Sequence, residues 1–199
     1  MNGILSILIA YLLGSLPFGY LLTRFATGKD VRSAGSGNIG ATNVMRTAGR
    51  ELGVATLVLD IAKGYLAVWI AGQLTQLNEG WMANAALAVM AGHAFPVFLR
   101  FKGGKTVATF VGAFGCLTPL PLLAALLVFA IVVAATRYIS AGSMVAAATF
   151  PLGVWIILHP SLTVMLASLL ASGFIVYRHR ENLHRIRAGT EPLFRWRLS

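Results

Sequence analysis

Of the 199 residues, 57% are hydrophobic and only 11% are charged, which excludes a soluble globular domain, where roughly a quarter of residues are charged. The formal net charge of +10 does not mark a nucleic-acid binder. Every Lys and Arg except Lys63 lies between or just beyond apolar segments, the pattern of membrane topology and anionic headgroups rather than of a DNA-binding stripe.

In chain order, apolar runs predict helices over 4–23, 52–73, 81–99, 105–117, 120–136, 142–158 and 161–177. Most approach the roughly 20 residues needed to cross a bilayer. The first lacks a basic leading region and is followed by further spans, so it reads as a retained helix rather than a signal peptide. The run at 105–117 covers only about 20 Å, less than a hydrocarbon core of about 30 Å. It is expected to be a half-helix beside a polar cavity or to continue past Pro119 with a kink.

Charge alternates along the connections. Residues 24–50 carry Arg24, Lys29, Arg32, Arg46 and Arg50, and residues 74–80 carry no Lys or Arg. Arg100, Lys102 and Lys105 follow, then none at 118–121, then Arg137, then none at 159–160. The tail ends with Arg178, Arg180, Arg185, Arg187, Arg195 and Arg197. Every second loop is therefore basic. The positive-inside rule predicts an all-α, polytopic protein of seven spans, with the N-terminus outside and the C-terminus cytoplasmic. No linker or low-complexity segment interrupts it, so residues 1–199 are expected to form a single transmembrane domain.

The chemistry concentrates on the basic side, in segments 33–46, 92–106, 140–143 and 177–191. Ser33–Arg46 reads SAGSGNIGATNVMR, Phe101–Thr106 reads FKGGKT, and Ser140–Ser143 reads SAGS. Small residues let backbone amides approach a ligand closely, and helix N-termini favour anions. Each segment has a cation near it: Arg46, Lys105 and Arg137. The tail adds Tyr177-Arg178-His179-Arg180-Glu181-Asn182. Amides, hydroxyls and Lys or Arg together suit phosphate. Each element alone has a plainer reading. Gly-Gly-Lys lacks the phosphate-loop spacing, small residues pack membrane helices, and basic tails set topology. Their convergence on one face favours a phosphate site.

Two further features stand inside predicted spans. His93, in Gly92-His93-Ala94-Phe95-Pro96, has an ordinary pKa near 6.5 that suits proton transfer. Asp60 and Lys63 are three apart, share a helix face and are expected to pair, either structurally or as the wall of a polar cavity. Cys116 is the only cysteine; it falls toward the opposite, outer side and is not expected to be a nucleophile.

These motifs resemble those of the bacterial acyl-phosphate-dependent glycerol-3-phosphate acyltransferases, the PlsY family. Ser36-Gly37-Asn38-Ile39-Gly40-Ala41-Thr42-Asn43 with Arg46 is similar to the first signature. Gly92-His93-Ala94-Phe95-Pro96 followed by Phe101-Lys102-Gly103-Gly104-Lys105 is similar to the second. Tyr177–Asn182 with Gly189 and Glu191 is similar to the third. The resemblance covers nearly the whole chain. It implies a seven-span bacterial inner-membrane enzyme that moves a fatty acyl group from acyl phosphate to the 1-hydroxyl of glycerol 3-phosphate. The products would be lysophosphatidic acid and phosphate. No cofactor and no metal are implied. Partners would be the two substrates, membrane lipid and, as a candidate, the soluble enzyme that makes acyl phosphate; nucleic acid is not among them.

Carried over residue by residue, the resemblance implies catalytic roles for Ser36, Lys105 and His93. Phosphate and glycerol contacts would come from Ser36, Arg46, Gly103, Gly104, Lys105, Ser143, His179 and Asn182. Asn38, Thr42 and Asn43 would orient the donor or shape the loop. The family usually has glycine where this chain has Thr106. No His-x4-Asp pattern and no Ser-His-Asp order with suitable spacing is present, which favours direct transfer over an acyl-enzyme. The base is either His93 or a phosphate oxygen of a substrate. The competing class is a transporter or channel for a phosphorylated solute, against which stand the one-sided cations and the lack of an inverted repeat.

Overall fold

A computed structural model describes residues 1–194 of the chain. Arg195 and Arg197 of the basic tail lie outside the described residues. All regular structure among the described residues is helical, and the backbone divides into two compact units, Met1–Leu117 and Thr118–Ser199.

In the first unit, α1 (Asn2–Ser15) and α2 (Phe18–Thr27) together cover the first predicted span. The expected helix over 4–23 is broken at Leu16–Pro17, because proline cannot donate to the helical ladder and pushes the preceding residue out of helical geometry. Leu16 indeed sits at ψ 112°. Next comes α3 (Ala41–Ala48), which lies in what hydropathy left as a loop. The helices α4 (Arg50–Leu74) and α5 (Glu79–Ala94) follow, the latter capped by the Asn78 side chain, which accepts from the Trp81 amide. A short turn of 3-10 helix, Val97–Leu99, and a Gly-Gly turn lead into α6 (Val107–Leu117). The α6 helix is as short as expected, and it ends at Leu117 instead of running past Pro119.

Missing side chains set the packing of this unit. A Cβ on Gly14 would sit 2.2 Å from the Val89 carbonyl oxygen, and one on Gly92 would sit 2.2 Å from that of Tyr11. The α1 and α5 backbones therefore touch through paired glycines. Gly64 and Gly112 do the same for α4 and α6, with hypothetical Cβ atoms 2.2 Å from the Thr109 oxygen and 1.9 Å from the Ile61 oxygen. Close backbone approach replaces the hydrophobic drive that lipid cannot supply. It brings the polar side chains of α4 and α5 within reach of each other.

The second unit contains α7 (Pro119–Thr136), α8 (Ile139–Leu158), α9 (Leu162–Arg178) and α10 (Arg180–Arg187). Pro119 opens α7, where its missing N–H costs nothing. The α9 and α10 axes bend by 48° at His179.

Each predicted apolar run contains a helix, but the one expected over 81–99 ends at Ala94, because Pro96 cannot continue the helical ladder. Among the described residues, five segments are long and apolar enough to cross a membrane, or six when α9 and α10 count as one bent span. Exposed Leu, Ile, Val, Phe and Trp cover much of the outer surface, as lipid-facing helices require. This is a multi-pass membrane protein.

Candidate functional site

The loop from Val31 to Arg46 is built around one buried amide. Asn43 is only 2% exposed. Its Nδ2 lies 3.1 Å from the Val31 and Ala34 carbonyl oxygens and 2.8 Å from that of Asn38. Its Oδ1 accepts from the Ser36 amide at 2.9 Å. Gly35, at φ 60°, passes so close that a Cβ would lie 2.3 Å from that same Oδ1. Asn38 Oδ1 accepts from the Gly40 amide at 2.8 Å, turning the chain into α3. Asn43 therefore spends its whole amide inside the loop and Asn38 its side-chain oxygen, whereas Ser36, Thr42 and Arg46 are exposed. Before this loop, Arg32 pairs with Asp30 at 2.7 Å, and its hydrogen bonds hold the Asp30 carboxyl below the usual carboxylate range.

A second centre is buried where α4 meets α5 and the α1–α2 break. Lys63 Nζ lies 2.7 Å from Asp60 Oδ1, donates to the Leu16 carbonyl oxygen at 2.8 Å and meets His93 Nδ1 at 3.0 Å. His93 Nδ1 is 3.6 Å from Asp60 Oδ1. The Phe18 ring covers the ammonium, its centroid 5.6 Å away. All three ionisable side chains are almost wholly buried. The predicted Asp60–Lys63 pair is present, and His93 belongs to the same cluster.

The Gly-Gly turn folds back onto His93. The Gly104 amide donates to the His93 carbonyl at 3.0 Å and the Gly103 amide to that of Ala94 at 3.1 Å. A Cβ on Gly104 would lie 2.1 Å from His93 Nε2, and one on Gly103 would lie 2.1 Å from the His93 oxygen. Only glycine fits at either place. Lys105, half-buried, follows directly. Thr106 then adopts φ 68°, a conformation open to glycine and costly for a β-branched residue. It is 1% exposed, and its hydroxyl has no hydrogen-bond partner.

The second unit carries its own polar centre, organised by Glu191. Its Oε1 accepts from Ser140 Oγ and Asn182 Nδ2, each at 2.6 Å, and its Oε2 accepts from Arg185 Nε at 2.7 Å. Burial pushes the Glu191 carboxyl up, but hydrogen bonds from Ser140, Asn182 and Arg185 outweigh it and hold the pKa below its ordinary value. Ser143, one turn along α8, donates to the Ile139 carbonyl at 2.9 Å. Buried His179 points Nδ1 at the Ile175 carbonyl, 2.8 Å away. The Phe194 amide donates to the Arg137 carbonyl at 2.7 Å, which ties Phe194 to the turn before α8.

The structure thus brings His93 against Gly103 and Gly104 and joins Ser36 to Asn43 within one loop. In the other unit it gathers Ser140, Asn182 and Arg185 around Glu191. Sequence reasoning did not join Lys63 to His93, which is 30 residues away, nor give Glu191 a role beyond its motif. No local signal announces either contact. Among the described residues, no three of His, Cys, Asp and Glu cluster as a metal-ligand set.

Comparison with known proteins reaches the same chemistry. The profile of the glycerol-3-phosphate acyltransferase family matches residues 4–189. The glycerol-3-phosphate acyltransferase of Geotalea daltonii is 48% identical over 192 residues, covering 96% of this chain and 97% of the relative. That of Geobacter sulfurreducens is 46% identical over 195 residues, covering 98% and 99%. Among solved structures, PlsY (YgiH), an integral membrane glycerol 3-phosphate acyltransferase, in its glycerol 3-phosphate form, superposes with a TM-score of 0.92 at 35% identity, covering 98% of this chain and 96% of that one. Its lysophosphatidic acid form gives 0.88 at the same identity. With a family profile spanning almost its whole length and relatives near half identical, this chain belongs to the glycerol-3-phosphate acyltransferase family.

Proposed function

We propose that the protein transfers a fatty acyl group from acyl phosphate to the 1-hydroxyl of glycerol 3-phosphate, releasing lysophosphatidic acid and inorganic phosphate. One observation carries this reading. The solved enzyme that this chain matches over 98% of its length has a glycerol 3-phosphate form and a lysophosphatidic acid form, two molecules that differ by one acyl group. Both proposed substrates bear phosphate, which accounts for the exposed Ser36 and Arg46 and for Lys105 behind two glycines. An apolar acyl chain accounts for the membrane setting.

In the proposed reaction, the glycerol 1-hydroxyl oxygen attacks the acyl carbonyl carbon. The bond from that carbon to the phosphate oxygen breaks, and phosphate leaves with the electron pair. The hydroxyl proton passes to a phosphate oxygen. His93 Nδ1 faces the Lys63 ammonium, which favours a substrate phosphate over His93 as the base. What remains for the protein is positioning and charge stabilisation. Ser36, Arg46, Gly103, Gly104 and Lys105 in the first unit, and Ser143, His179 and Asn182 in the second, are proposed to hold phosphate and glycerol. Asn38, Thr42 and Asn43 shape the first loop.

In the same reading, residues 1–199 act as one catalytic domain crossing a bacterial inner membrane seven times, N-terminus outside, with the phosphate loops cytoplasmic. The donor comes from a soluble enzyme that makes acyl phosphate. Purified protein given acyl phosphate and labelled glycerol 3-phosphate should form labelled lysophosphatidic acid. Acyl-coenzyme A in place of acyl phosphate should support none, and turnover with it would contradict the donor assignment.

A further inference from the structure

We propose that Lys63, held by Asp60, is a positioning residue: it keeps His93 as an Nε2–H donor and so fixes the turn that presents Lys105. The inference rests on the phosphate-binding reading of that turn.

An ammonium has three donors and no acceptor. Lys63 Nζ donates to the Leu16 oxygen, meets His93 Nδ1 at 3.0 Å and forms an ion pair with Asp60 Oδ1. Because the ammonium can only donate, Nδ1 must accept. The ring is then neutral and its proton sits on Nε2, an assignment made from the network. A doubly protonated ring would set two donors against each other at 3.0 Å. Asp60 Oδ1, at 3.6 Å from Nδ1, is too far to relieve that clash with a hydrogen bond.

The other side of the ring meets the turn. Nε2 lies against the Gly104 α-carbon, and the backbone carbonyls of His93 and Ala94 take the Gly104 and Gly103 amides. The ring edge occupies the space where a Gly104 Cβ would stand. Lys63 therefore joins the α1–α2 break to α5, and His93 passes that constraint to the residues before Lys105. The Asp60–Lys63 pair lies within α4 and would satisfy its own charges without reaching α5. The Nζ contact to an α5 ring 30 residues away in sequence reaches beyond that pair and serves the ring. Ionisable groups inside membrane helices are costly and typically functional.

The test uses nitrogen-15-histidine NMR on the full chain in detergent, with the His93 signal identified by its loss in His93→Gln. The wild type should show an unprotonated Nδ1 and a protonated Nε2. The double variant Asp60→Asn/Lys63→Met removes both charges together and leaves no buried ion unpaired. It should show mixed tautomers and a kcat/KM for glycerol 3-phosphate lower by about tenfold to a hundredfold, the cost of a displaced contact. Should that double variant not fold, a second pair decides. His93→Gln keeps an N–H near the Nε2 position and should stay well more active than His93→Asn, which reaches only the Nδ1 position. A folded double variant with wild-type kinetics, an unchanged tautomer, or His93→Asn matching or exceeding His93→Gln would overturn the proposal. A wild type without acyl transfer would instead sink the proposed function, and the tautomer signal would still decide the Lys63 assignment.

Discussion

Replacing Thr106 with glycine should make the protein more stable while leaving it active. Thr106 stands at φ 68° with a buried, unpartnered hydroxyl. The left-handed backbone costs an L-residue about 1–2 kcal/mol. Leaving a buried hydroxyl unpaired costs about another 1–3 kcal/mol. Against this, glycine loses roughly 0.5–1 kcal/mol through its freer unfolded chain, and the removed methyl forfeits about 0.8 kcal/mol of burial. At the middle of these ranges the balance favours glycine by about 2 kcal/mol. For a chain of this size that corresponds to roughly 4–8 °C in Tm. Thermal unfolding of both proteins in one detergent reads it directly. Thr106→Ala separates the two causes, since it keeps the strained φ but drops the hydroxyl, and should fall between. Activity of Thr106→Gly should remain within a few fold, because the Phe110 amide bonds the backbone oxygen of residue 106, which glycine retains. A Thr106→Gly protein that melts below the wild type would refute the strain argument.

Other outcomes follow from the same geometry. Lys105→Ala should lower kcat/KM about tenfold to a hundredfold, the worth of one charge-assisted contact, and Lys105→Arg should recover only part of it in steady-state kinetics. Glu191→Ala should cost about 3 kcal/mol, because it strips Ser140, Asn182 and Arg185 of a shared acceptor. Since the folded Glu191 pKa is depressed, its contribution is fully present above the ordinary value of about 4.3 and is lost as pH falls below that through the folded value. The stability gap between wild type and Glu191→Gln should therefore be flat from pH 5 to 8 and shrink below about pH 4. Reporter fusions after Gln76 and after Ser199 should read exterior and cytoplasm; both on one side would contradict the seven-span topology.

The spans were legible because hydropathy works on one segment at a time. Asp60 and Lys63 were legible as a pair for the same reason, being neighbours on one helix turn. Pro17 was visible, but the apolar run continues through it, so the break at Leu16 went unread. The α3 helix escaped because Ala41–Ala48 is short and polar, with no apolar period to announce it. Thr106 was recognisable as a departure from the usual glycine, yet only the backbone gives the reason. The Lys63–His93 contact and the Glu191 centre depend on tertiary packing across 30 and 51 residues, and no window of sequence contains them.

The central claim is that the acyl group passes directly from phosphate to the glycerol hydroxyl. Rapid-quench measurement of both products in the first turnover tests it most directly. Inorganic phosphate and lysophosphatidic acid should appear together, one for one, with no phosphate released when glycerol 3-phosphate is withheld. A burst of phosphate that precedes lysophosphatidic acid, or acyl label retained on the protein, would contradict it.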